Sequence, residues 1–151
     1  MLVVNPNNRL RTDLAAVEPP LWAGLIASYL GADILDAEAE DFTLDQTVKY
    51  ILTADHKEIL LVVMGNNPSV SSTPKMQIAE EIGQRIEDRK KVSMTGIHPI
   101  ACGSRFPVIK RPFNAFPMQP WDKLPMHLYR AHNWHCLDGS PRSPYASIYT
   151  S

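Results

Sequence analysis

Over the first hundred residues, short apolar runs alternate with longer amphipathic stretches. Leu2–Val4 is an apolar run ended by Asn-Pro, which predicts a buried strand meeting a loop. Pro19 and Pro20 then introduce LWAGLIASYL, where Leu21, Leu25, Ile26 and Tyr29 recur at helical spacing. Proline suits the first turn of that helix, where its missing N–H costs nothing. ADILD (Ala32–Asp36) predicts a second strand, closed by the acidic loop AEAED. LDQTVKYILTAD predicts a helix with Leu44, Val48, Ile51 and Leu52 inward. EILLVVM (Glu58–Met64) is the strongest strand, unbroken in its apolar character as a central parallel strand must be. The turn-forming run GNNPSVSST follows. Thr73 as N-cap and Pro74 in the first turn then predict a helix through about Arg89. VSMTG (Val92–Gly96) is the fourth strand, with Gly96 allowing a tight exit.

The order β-α-β-α-β-α-β predicts an α/β fold: a doubly wound, flavodoxin- or Rossmann-like parallel sheet of about four strands flanked by helices. From Ile100 onward the pattern dissolves. Six of the thirteen prolines fall before residue 100 and seven between Pro107 and Pro144, too closely spaced for a long helix or a central strand. The aromatics Phe106, Phe113, Phe116, Trp121, Tyr129 and Trp134 suit an extended segment that clings to a surface. The division is therefore an α/β domain over 1–100 and a proline- and aromatic-rich extension over 101–151. The final PYASIYTS alternates like a half-buried strand, with Tyr145, Ser147 and Tyr149 on one side.

Composition narrows the functional classes. Fifteen basic and sixteen acidic residues give no broad basic field, so nucleic acid and anionic membranes are not expected partners. MLVVNPNN lacks a charged leader region, and no apolar run nears the roughly 20 residues of a spanning helix. Two cysteines, Cys102 and Cys136, make a disulfide framework unexpected. A cytoplasmic protein is the resulting expectation.

Doubly wound sheets bind ligands beyond the carboxyl ends of their strands. Here those ends carry Asn5-Pro6-Asn7-Asn8, Asp36-Ala37-Glu38, Met64-Gly65-Asn66-Asn67 and Gly96-Ile97-His98-Pro99. NPNNRL after the first strand has no glycine, which excludes the dinucleotide fingerprint G-x-G-x-x-G. Asn5 and Met64 stand where a phosphoacceptor receiver needs carboxylates, and the hydroxyl-rich turn of a flavodoxin phosphate loop is missing. Asparagines, together with Ser69, Ser71, Ser72 and Thr73 at a helix start, suit a large ligand rich in amides better than a polyphosphate. Asparagine also makes turns for purely local reasons, and His98 has an equally local reading as a histidine satisfied by turn backbone.

Taken together, LVVNPN, EPPLWAGLIASYL, ILDAEAED, VVMGNNPSVSSTPKM, TGIHP and WDKLPMHLYRAHNWHC…PYASIYTS resemble the N-terminal cobalamin-binding domain and linker of B12-dependent radical S-adenosylmethionine enzymes. The resemblance covers nearly the whole chain. It implies a corrinoid on the carboxyl edge of the sheet with its tail running down between strands. Met64-Gly65 and Thr95-Gly96 would let that tail approach the backbone. Asn5, Pro6, Asn7, Asn8, Asn66, Ser69, Ser72, Thr73 and His98 would be loop contacts. The turn Asn5–Leu10 has no histidine for cobalt, so the cobalamin is expected base-off without a protein ligand.

The chain departs from that family in two respects. It stops at Ser151, before the cysteine motif that holds the iron–sulfur cluster, so no cluster and no complete enzyme is expected; a separate radical barrel chain is the implied partner. IACGSRFPVIKRPFNAFPMQP replaces the usual fifth strand and helix and reads as neither, leaving the flank of strand four for the extension to cover. Two rival readings are a remnant that binds nothing and a zinc site drawn from His98, Cys102, His132, His135 and Cys136.

Overall fold

The computed structural model describes residues 1–9, 16–64, 68–115, 117–132, 139–140 and 142–146, with backbone alone over 68–73. Four strands, β1 (Leu2–Asn5), β2 (Asp33–Asp36), β3 (Glu58–Val62) and β4 (Lys91–Thr95), form an all-parallel sheet in the order β2-β1-β3-β4. Register follows from the apolar pattern. Val3 stands beside Ile34 and Leu60, and Leu61 beside Met94, so each strand presents apolar side chains to both faces.

The crossover helices leave to opposite faces. On one face α1 (Leu21–Leu30) brings Ala23, Ile26 and Ala27 onto Val3, Leu60 and Val62. On the other, α2 (Leu44–Thr53) and α3 (Pro68–Ile86) bring Val48, Ile51, Ala79, Ile82 and Ile86 onto Val4, Ile59 and Leu61. α2 starts on a reciprocal cap: Thr43 Oγ1 accepts from the Gln46 N–H, and Gln46 Oε1 accepts from the Thr43 N–H. α1 ends at Gly31, whose φ of 59° is the left-handed turn that releases the chain into β2.

α3 begins at Pro68, five residues before the expected Thr73 cap, and holds Pro74 inside it. Pro68 takes the first helical position, where no N–H is needed. The GIHP segment, expected as a turn, opens a six-residue helix, α4 (Ile97–Cys102).

The extension is packed against the domain by single contacts. Pro107–Ile109 runs parallel to β4 on its outer side: Met94 N–H donates to Pro107 O (2.9 Å), and Ile109 N–H donates to Met94 O (2.8 Å). This one-residue bridge lies where a fifth strand would, so IACGSRFPVIKRPFNAFPMQP does supply a strand contact, and the flank of β4 is covered there. Further on, Phe113 stacks on Trp22 of α1, with ring centroids 6.2 Å apart. The chain then reaches the opposite edge, where Arg130 pairs with Val17 through two 2.9 Å backbone bonds. Residues 147–151 of PYASIYTS lie outside the described residues.

Two helix-interior glycines are notches for this strap. A Cβ on Gly24 would strike the amide of Gln119, and one on Gly83 would strike the ring of Phe106. Phe106 is 7% exposed and completes the core under α3. Gly83→Ala is therefore expected to lower stability by about 1–2 kcal/mol through displacement of that ring, despite alanine's better helix propensity. Urea unfolding checks it; a stabilised variant would show that the ring moves aside freely.

Candidate functional site

The helices α1 and α3, which follow the neighbouring strands β1 and β3, leave their carboxyl ends to opposite faces, which makes that crevice the topological switch point. It is filled by the protein's own polar groups. Asn5 is 2% exposed; its amide donates to Asp36 Oδ1 (2.7 Å) and, at 3.4 Å, to Glu38 Oε2. Lys75, from the third turn of α3 and also 2% exposed, donates to Asn5 Oδ1 (2.8 Å) and Glu38 Oε2 (2.7 Å). Tyr129 arrives from the extension and donates its hydroxyl to Asp36 Oδ2 (2.8 Å). Each charged group here has a bonded partner, as burial requires.

Burial, above all, pushes the Asp36 carboxyl up from 3.8 to about 6; the nearby Glu38 carboxylate adds to the rise, and the bonds from Asn5, Tyr129 and the Ala39 N–H oppose it. Burial and then the Asp36 charge push the Tyr129 phenol up, so it remains a donor throughout the physiological range. Asn7 is turned inward as well, donating to Asp41 Oδ1 and Phe42 O and accepting from the Arg9 N–H. Pro6 is buried and Asn8 half-buried. Asn5 and Asn7 thus hold the first two loops to each other.

A second feature of the carboxyl edge is open. On the α1 face, beyond β3 and β4, lies a cavity of about 380 Å³ whose wall is almost wholly carbon and sulfur. Val62, Met64, Thr95 and Gly96 form its floor, and Trp22 and Ile26 of α1 one side. Ile97, Ile100 and Ala101 of α4 form another, and Pro112 and Phe113 of the extension close the outside. The cavity exists because no full helix follows β4 on this face: α4 is short, and proline-rich chain stands in for the rest.

Gly96 lets the chain leave β4 close against the backbone that follows β3. Its φ of 123° lies outside the range of ordinary L-residues, and a Cβ there would collide with the Val63 carbonyl oxygen. The hydroxyl and the carbonyl of Thr95 in this floor are already used. Thr95 Oγ1 donates to Ile109 O (2.7 Å), and Thr95 O accepts from the Val63 N–H (2.8 Å).

The residues singled out from sequence therefore separate into groups. Met64, Thr95 and Gly96 come together around the cavity, while Asn5 and Asn7 belong to the buried network. His98 sits half-buried in the first turn of α4, off the cavity lining. Gly65 and Asn66 lie outside the described residues, as do the side chains of Ser69, Ser72 and Thr73, whose backbone belongs to α3. Lys75 and Tyr129 were not among the expected site residues. The sequence signal for Lys75 is its place one residue after Pro74 in the helix that follows β3; Tyr129 carries none beyond being an aromatic in the extension.

Of the histidines and cysteines considered for zinc, the described ones, His98, Cys102 and His132, do not assemble into one site. His132 Nδ1 accepts from the Ala16 N–H on the β2 side of the sheet, whereas Cys102 ends α4 beyond β4 and is exposed. His135 and Cys136 lie outside the described residues, and among the described residues no cluster of three or more His, Cys, Asp or Glu could hold a metal ion. No helix among them is long and apolar enough to cross a membrane. Comparison with protein-family models, with curated proteins and with solved structures finds no match to this chain.

Proposed function

We propose that the chain is a corrinoid-binding module and that the cavity on the α1 face receives the nucleotide tail of a base-off cobalamin. The observation that carries this reading is that Met64, Thr95 and Gly96, three positions at which the resemblance implies tail contact, line one apolar cavity at the carboxyl edge of a doubly wound sheet. Its volume falls within the roughly 300–1,000 Å³ of small-molecule sites. The fit is chemical as well as spatial: a flat heteroaromatic base needs apolar walls, and the lining supplies them.

Each residue would then have a limited task. Trp22 and Phe113 would cover the faces of the base and keep water away, and Met64 would pack against its edge. The buried Asn5–Asp36–Lys75 network would hold the first two loops rigid beneath the corrin ring. When bound, the cobalamin would supply a cobalt centre able to carry an alkyl group. Radical generation would belong, in this reading, to a barrel outside these 151 residues, because a cluster needs three cysteines together and these residues hold two in unrelated contexts.

The test is to mix the protein with hydroxocobalamin, desalt it and record the visible spectrum. Near-stoichiometric retention with a base-off spectrum is expected. Ala101→Trp, at an exposed position on the cavity wall, is expected to lower retention at least about tenfold with an unchanged Tm, by occupying the space of the base. A wild-type protein that emerges colourless would overturn the reading.

A further inference from the structure

We propose that the cavity selects corrinoids by their lower base, accepting a benzimidazole-type base and rejecting a purine; this rests on the corrinoid reading above. The argument is one of unmet hydrogen bonds. An adenine base carries an exocyclic amine and several ring nitrogens, all hydrated in water. Dimethylbenzimidazole has a single free ring nitrogen and two methyl groups.

Among the described residues the cavity wall is almost wholly apolar and offers a purine almost nothing to bond. Thr95 brings the lone hydroxyl of the lining, and that hydroxyl is already committed to Ile109 O. The Gly96 carbonyl accepts from the Ile100 N–H (3.2 Å), and the Thr95 carbonyl is taken by Val63. Met64 contributes a thioether, a weak acceptor at best. A polar group pressed against such walls loses water on that side without a replacement. The methyl groups of the benzimidazole, by contrast, would gain contact with Ile26 and Ile100.

Binding of three probes, followed by visible spectra and titration calorimetry, tests this: cobalamin with its dimethylbenzimidazole base, the adenine-based cobamide, and cobinamide, which has no base. Cobalamin is expected to bind at least about tenfold more tightly than the adenine form, with cobinamide no tighter than the adenine form. Met64→Gln, which places an amide on the lining at nearly constant volume, is expected to narrow that gap to about threefold while Tm is retained. Equal affinity for the two complete corrinoids, both above cobinamide, would overturn the selection and leave the corrinoid reading standing. An unchanged gap in a stable Met64→Gln protein would also overturn it. Binding of none of the three would end both.

Discussion

Replacing Tyr129 with alanine is expected to lower the stability of the fold by about 4 kcal/mol, and replacing it with phenylalanine by about 1.5 kcal/mol. Tyr129 is fully buried, with its ring among Val17, Ala39 and Leu124, and it links the extension to the carboxyl end of β2. Removing the ring leaves a large cavity under a segment with little regular structure of its own to close it. Phenylalanine keeps the packing but takes the donor from Asp36 Oδ2, which has no water to replace it. The two variants thus separate packing from hydrogen bonding. Urea unfolding measures both, and limited proteolysis adds a local readout: the alanine variant should be cut within 117–132 under conditions that leave the parent intact. Loss of less than about 1 kcal/mol in Tyr129→Ala would mean that the extension is only laid against the domain.

Much of the sheet can be read from the chain because each element repeats its own instruction. ILLVVM (Ile59–Met64) is apolar at every position and supplies most of the central strand β3; LDQTVKYILT is apolar on one side and becomes α2. The extension has no such redundancy. Its place is set by isolated contacts, Phe106 at Gly83, Gln119 at Gly24, Phe113 on Trp22 and Tyr129 at Asp36, and no window of sequence contains both members of any pair. The only local hint was the presence of glycine inside two helical patterns, which marks a close approach without naming what approaches. The candidate site divides in the same way. Met64 and Gly96 could be placed at one edge from topology alone, whereas the inward turn of Asn5 depends on Lys75, seventy residues away.

Between pH 4.5 and 7.5 the stability of the parent protein should fall, relative to that of Asp36→Asn, by about 2 kcal/mol. The folded chain holds the Asp36 proton up to about pH 6, because burial disfavours the carboxylate, while an ordinary aspartic acid releases it near 3.8. Between those values the folded form binds more protons than the unfolded form, so stability declines as pH rises. Below 3.8 both forms are protonated and the difference vanishes. Above 6 the loss is complete, at about 3 kcal/mol for the whole shift, of which some falls below pH 4.5. Asparagine keeps the shape and can still accept from the Asn5 amide and the Ala39 N–H, so it isolates the charge. The groups that face this carboxyl act in opposite senses: Glu38 raises it, and the Tyr129 hydroxyl and Asn5 amide lower it, with Lys75 held across Asn5 and Glu38. Denaturation of both proteins at the two pH values gives the result directly. A constant difference would mean that the Lys75 ammonium, acting through Asn5 and Glu38, offsets the carboxylate as it forms, and that the network is balanced for the ionised state.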